Sequence, residues 1–406
     1  MKQLLILVSL VSFSAFGQFS IPENYDTIIR KQEVILKGSF DYGATAIQND
    51  FQSKLIRGGF ISNEIKDFAW NKHKGINRVG ADLHGEIEYR NYASNLFGKE
   101  RYGWLIRAGA YAQGGMIYSK DVFGFAFYGN EQYVGSNADF TGTRASMMSF
   151  QKIGFGVIDK KSKSTIAVNF VTANSSLGAN MRDVSIYQNA DVDSMLFIYD
   201  GVASYKNGGF NRPGLGFGID ADFRVPIQIM KNNVSFFQFS IKNLGGVFIP
   251  SSTVYEADSS LIFKGFTFDQ LIGNASIIDS NFSILDTLNI RSEDKSSFQL
   301  LPVFVQFGKI IDDLNTNKVQ AFYGVRLFPT LYFIPQIYAG VNYKPIKQLS
   351  VGASAAYGGF TNFRCGLYLA GNVKSMSVGL STENLIGLFS KNGFGKSAAL
   401  RLSWRI

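Results

Sequence analysis

The chain has 406 residues, 42 of them Gly and only one Cys, with 15% aromatic and 17% charged residues and a formal net charge of +9. Abundant aromatics and scarce charge exclude a disordered chain, the lone Cys365 excludes a disulfide framework, and one Cys with two His cannot furnish an ordinary structural zinc set. A glycine-rich, aromatic-rich chain with a mean hydropathy of only +0.03 fits a membrane β-barrel, where half of each strand faces lipid and half a polar interior.

In chain order, the first element reads as an export signal. Lys2 gives a positive start, residues 4–13 (LLILVSLVSF) are apolar, and Ala15-Phe16-Gly17 is a small-residue cleavage site. The expected organisation is a signal peptide over 1–17 and one barrel over 18–406, in a protein exported to the bacterial outer membrane. No Cys near the site offers a lipid anchor, and nothing downstream is long and apolar enough to cross a bilayer as a helix.

The remainder reads in period two. Candidate strands fall near 33–46, 54–69, 77–91, 102–117, 122–129, 144–158, 163–172, 213–225, 233–243 and 297–310. Six more fall at 318–328, 334–344, 348–357, 361–371, 374–383 and 397–406. The last is the clearest: Ala398, Leu400, Leu402, Trp404 and Ile406 share one face, and Ala399, Arg401, Ser403 and Arg405 the other. The count is sixteen, or fourteen if 54–69 and 122–129 are set aside. The expected fold is an all-β, transmembrane, antiparallel up-and-down barrel of about 14–16 strands.

Placing the C-terminal strand's end in the periplasm assigns short periplasmic turns to 159–162, 226–232, 311–317, 345–347 and 372–373. Long extracellular connections are then expected at 130–143, 173–212, 244–296 and 384–396, and Cys365 faces lipid.

The alternation also points charges inward. On 77–91 these are Asp82, His84, Glu86, Glu88 and Arg90, and on 213–225 Asp220, Asp222 and Arg224. Arg107, Arg326, Arg364, Arg401 and Arg405 face the same way. Such a lumen either selects a permeant or holds a plug, or its acid–base pairs simply fill and stiffen a narrow barrel. Basic residues are scattered rather than clustered in runs, which argues against nucleic acid.

Chemistry finds little support. His73 falls in an expected periplasmic turn. His84 sits between Asp82 and Glu86, which would orient it as a base, but no G-x-S-x-G elbow presents a nucleophile. Gly214, Gly216 and Gly218 alternate with Leu215, Phe217 and Ile219 along a strand, so they mark a smooth inner wall and not a phosphate loop. Asp191 and Asp193 lack the further oxygen ligands that calcium needs. No catalytic residue, metal or cofactor is assigned.

Residues 121–130 (DVFGFAFYGN) with 151–156 (QKIGFG), and 213–220 (PGLGFGID) with 239–246 (FSIKNLGG), resemble an uncharacterised Bacteroidota family of outer-membrane barrels. That family is similar in fold to the long-chain fatty-acid transporter (FadL-type) barrels and to the PorV barrel of type IX secretion. The resemblance spans roughly 100–406 and implies fold and location without an activity. No asparagine-proline plug motif follows Gln18. Two functions are expected from different classes. One is passage or binding of a small hydrophobic or amphipathic ligand. The other is a structural or secretion-associated barrel that docks a partner protein. Outer-membrane lipid is the expected surrounding in both.

Overall fold

A computed structural model describes residues 31–206, 212–230, 233–264, 290–311 and 317–406. The expected signal peptide lies outside them. One sheet of seventeen strands runs through the described residues: β1 Gln32–Ala44, β2 Ile76–Asn91, β3 Tyr102–Ser119, β4 Asn137–Asp139, β5 Arg144–Asp159, β6 Thr165–Gln188, β7 Met195–Lys206, β8 Gly214–Met230, β9 Asn233–Phe263, β10 Arg291–Leu300, β11 Phe304–Lys309, β12 Val319–Leu327, β13 Ile334–Ile346, β14 Leu349–Gly359, β15 Phe363–Val373, β16 Met376–Thr382 and β17 Gly395–Arg405. Fourteen of them close an antiparallel barrel in the order β1, β2, β3, β5, β6, β8, β9 and β11 through β17. The seam is β1 on β17, in register from Glu33↔Arg405 to Gly43↔Gly395.

The wall forms because period-two sequences bury alternate faces. On β17, Ala399 and Ser403 are buried while Trp404 faces out. Phe217 on β8, Ile153 on β5 and Ile337 on β13 are 66%, 64% and 63% exposed, against 0% for the inward Asn169 and Asn342. A polar interior with an apolar exterior inverts a water-soluble protein.

Two expected strands are helices. Residues 54–69 fall across α1 (Asn49–Arg57) and α2 (Asn63–Lys72), and 122–129 falls in α3 (Lys120–Tyr128). Gly58 at φ 75 breaks α1 from α2, and Ser119 Oγ caps α3 by accepting from Val122 N at 3.4 Å. The three helices pack on one another through Phe51, Ala69, Tyr118 and Phe123. Short apolar runs satisfy either period; here capping and tertiary packing favour the helix. The correction changes His73, which caps the C-terminal end of α2 between β1 and β2. It lies on the rim opposite the chain ends, not beside them.

Two long connections also contain strand. β6 runs on to Gln188, β7 follows it within 173–212, and β9 runs on to Phe263 within 244–296. β7 and β8 occupy one slot between β6 and β9, and β10 with β11 occupies the next slot along β9. Above the barrel β6, β7, β9 and β10 therefore continue as a blade, with β4 paired on the outer edge of β6. Met181, Val184 and Ile186 of β6 pack against Tyr133, Ala138 and Phe140, whereas β10 is exposed at nearly every position.

Candidate functional site: a charged chamber in the lumen

The upper lumen, toward the helices, is filled. Leu331, Phe328 and Phe360 come from connections that fold inward and pack with Phe304. Two glycines permit this. A Cβ on Gly80 would lie 2.1 Å from the Phe360 ring, and one on Gly115 2.0 Å from the Leu331 carbonyl oxygen. Leu301 enters from the break between β10 and β11 and lies against Gly218, where a Cβ would meet its Cδ1 at 3.1 Å. Of the smooth inner wall expected at Gly214, Gly216 and Gly218, Gly218 receives this segment, while a Cβ on Gly214 or Gly216 would meet Ile249 or Val247 of β9.

Below this, nearer the chain ends, lies a chamber of ≈ 170 Å³. Of the charged positions chosen from the sequence, His84, Glu86, Glu88, Arg90, Arg107, Asp220, Asp222, Arg224 and Arg401 line it. Asp82, Arg326 and Arg364 are buried elsewhere in the barrel interior. Arg405, at the end of β17, has Nε 3.8 Å from Glu33 Oε1.

The charged wall comes from β1, β2, β3, β5, β8 and β9. Glu88 accepts from Arg90 Nε at 2.6 Å and pairs with Arg107 at 2.8 Å. Glu86 lies 3.3 Å from Lys37 Nζ and accepts from the Tyr111 hydroxyl at 2.7 Å. Asp220 accepts from Arg107 at 2.9 Å and from Lys152 at 2.6 Å. Each of these buried carboxylates thus has cations or donors around it, as burial of a charge requires. Asp222 accepts from Arg224 Nε at 3.2 Å and from Gln238 Nε2 at 2.5 Å.

A bulge organises the centre of this wall. The β8–β9 register shifts between Ile219 and Ala221, so Lys242 and Asn243 together oppose Asp220. Asn243 takes φ 58, and its backbone N donates to Asp220 at 2.8 Å. Its side-chain oxygen accepts from Lys152 at 2.8 Å. Phe304 of β11, paired across the ladder with Lys242, begins a stretch with aromatic rings that continues through Phe322 of β12 and Tyr338 of β13; Ile311, and the polar Gln306, Lys309 and Arg401, also line the chamber. The chamber therefore has a charged side and an aromatic-bearing side.

Lys37, Lys152, Lys242, Asp41 and Glu383 were not singled out from the sequence. Lys152 and Lys242 sit inside the two stretches quoted for the resemblance, at inward positions that the alternation of 144–158 and 233–243 would have exposed. Glu383 closes the expected strand 374–383 on the inward set of Ser377, Gly379 and Ser381, and it directly follows the end of β16.

His84 lies between Ser39 and Asp82: Ser39 Oγ is 2.5 Å from Nδ1 and 3.0 Å from Nε2, and Asp82 Oδ1 is 3.5 Å from Nδ1. Asp82 also accepts from Gln113 at 2.6 Å. Asp193, considered for calcium, instead accepts from Asn189 and Ser194 within the β6–β7 turn, both at 2.8 Å.

Residues 49–382 match a protein family described as a family of unknown function, DUF5723. No curated protein matches the chain in sequence. Among solved structures, the toluene transporter TodX of P. putida is similar at 9% identity with a TM-score of 0.42, over 93% of this chain and 90% of that one. The Ralstonia pickettii toluene transporter TbuX is similar at 9% identity, TM-score 0.39, over 93% and 90%. The translocator domain of the autotransporter NalP from Neisseria meningitidis is similar at 8% identity, TM-score 0.30, over 100% and 94%.

Proposed function

The chain belongs to the DUF5723 family of unknown function, and from that premise and the barrel geometry we propose a non-enzymatic outer-membrane barrel that binds and passes a small amphipathic ligand. The membrane setting rests on the exterior, where Ile, Val, Leu and Phe stand exposed on strand after strand. Water would not tolerate so continuous an apolar surface on a monomer. Aromatics add to it at the rim of the chain ends, where the rings of Tyr89, Trp104 and Phe155 follow one another in a row. The rim of the chain ends faces the periplasm in this reading.

The ligand class rests on one observation, the two-sided chamber. A charged side and an aromatic-bearing side within ≈ 170 Å³ suit a small molecule with a polar head and an apolar body. The test is purification from the native membrane in mild detergent, followed by mass spectrometry. A small amphipathic molecule should co-purify at near-stoichiometric amount. A stoichiometric protein partner in its place would overturn the transport reading and favour the docking one, which the blade of β6, β7, β9 and β10 supports.

A further inference from the structure

This inference rests on reading the chamber as a ligand site and names the charge of the ligand. Among the described residues, Lys or Arg occupies eight lining positions, against four for Asp or Glu. The four acids are already engaged within the wall: Glu86 by Lys37, Glu88 by Arg90 and Arg107, Asp220 by Arg107 and Lys152, and Asp222 by Arg224. The excess is positive and concentrated in a low-dielectric space, where it counts for more than it would at a surface.

Two cationic side chains of this wall keep donor capacity unused. Lys242 lies beside the bulge and lines the chamber, and among the described residues its ammonium enters no ion pair or hydrogen bond. Its Nζ lies 5.9 Å from the Phe304 ring. Arg107 is 6% exposed, and its Nε is buried without a hydrogen-bond partner, although its two terminal nitrogens are paired. Both line the chamber, and Asp220, which Arg107 contacts at 2.9 Å, stands opposite Lys242 in the bulge, so the two cations share one region. A buried N–H left unmatched is costly, and the cost is relieved by an acceptor supplied from outside. A neutral acceptor would satisfy the hydrogen bond and leave the positive excess in place; an anion answers both.

We propose that the chamber is an anion site: an oxyanion head, carboxylate or phosphate, sits at Lys242 and Arg107, and its small apolar body lies along Phe304, Phe322 and Tyr338.

The test is calorimetric titration of the purified full-length barrel in dodecyl maltoside with phenyl phosphate, benzoate, inorganic phosphate and neutral benzyl alcohol. Phenyl phosphate and benzoate should bind, and the tighter of the two identifies the head. Inorganic phosphate should bind more weakly, and benzyl alcohol most weakly. Lys242→Gln should lose at least about tenfold in anion affinity, as removal of a charge-assisted contact requires, with Lys242→Arg close to the parent. Lys242→Met serves if the Gln variant fails to show the heat-dependent gel shift of a folded barrel. Equal anion affinity in the folded Lys242 variants would overturn the proposal. So would benzyl alcohol binding as tightly as the anions, which sinks the anion site and leaves an amphipathic ligand standing. Binding by none of the probes would also overturn it, while the co-purification test decides the broader reading separately.

Discussion

At the scale of single residues, Glu383 has a large effect for a group outside the strands. It follows β16, turns into the lumen, contacts Arg326 and comes within 3.7 Å of Arg364. Arg364 is 1% exposed and donates to both oxygens of Asp41 at 2.7 Å and to Thr361 at 2.7 Å. Two guanidiniums thus face two carboxylates across β1, β12, β15 and the connection after β16. Deleting one partner of a buried set leaves an uncompensated charge, at a cost of about 3–5 kcal/mol. Glu383→Ala should therefore lower the temperature at which the folded band converts to the unfolded band on a gel, and an unchanged midpoint would refute this role. The alternation predicts an inward Arg326 and Arg364, since each sits mid-strand between outward residues. Carried from Ser377, Gly379 and Ser381 to the end of the expected strand 374–383, it also turns Glu383 inward, although β16 itself ends at Thr382.

At the scale of elements, the strands were readable and the helices were not. The C-terminal strands read cleanly because one face must meet lipid and the other must not, which imposes period two on every residue. α1, α2 and α3 answer to no bilayer. Their short apolar runs are fixed by partners distant in sequence, such as Phe51 against Phe123 at 5.4 Å between rings. Their cap signals were present in Ser62, Ser119, Gly58 and Gly129, and they weigh more than hydrophobic period where a run is short. β10 escaped for the converse reason, since a strand wet on both faces carries no apolar alternation.

The helical cluster also carries a pH dependence. His73 stands in it with Nδ1 2.7 Å from the Ala69 carbonyl oxygen and Nε2 3.1 Å from the Tyr118 hydroxyl. Burial lowers its pKa from the ordinary 6.5 to about 4, against the raising effect of the Ala69 carbonyl, and nearby Lys120 lowers it further. Folded His73 is therefore neutral where an unfolded histidine would already be protonated. The docking of α2 is at full strength above pH 6.5 and weakens as pH falls toward 4. Amide exchange over Asn63–Lys72 should accelerate across that interval beyond its ordinary pH trend. A His73→Phe variant that retains the fold should lose the effect, and a flat profile in the parent would contradict it.

At the scale of the whole molecule, the two rims are built unequally. β9 has 31 residues, about 100 Å at roughly 3.3 Å per residue, whereas about 9–11 residues suffice to cross a bilayer. The excess of β9, with β6, β7 and β10, rises from the rim that also carries α1, α2 and α3. The other rim holds the chain ends and short turns such as 160–164, 347–348 and 374–375. In a barrel inserted with its ends in the periplasm, the blade stands on the cell surface. Two exposed serines distinguish the rims: Ser292 on β10 and Ser94 in the connection between β2 and β3. Cys365 is the chain's only cysteine, so Cys365→Ser gives a clean background for single Ser→Cys variants. A membrane-impermeant maleimide should label Ser292→Cys on intact cells, and Ser94→Cys only after the outer membrane is permeabilised. The reverse pattern would invert the barrel and turn the charged chamber toward the medium. Labelling of both on intact cells would remove the protein from the membrane altogether.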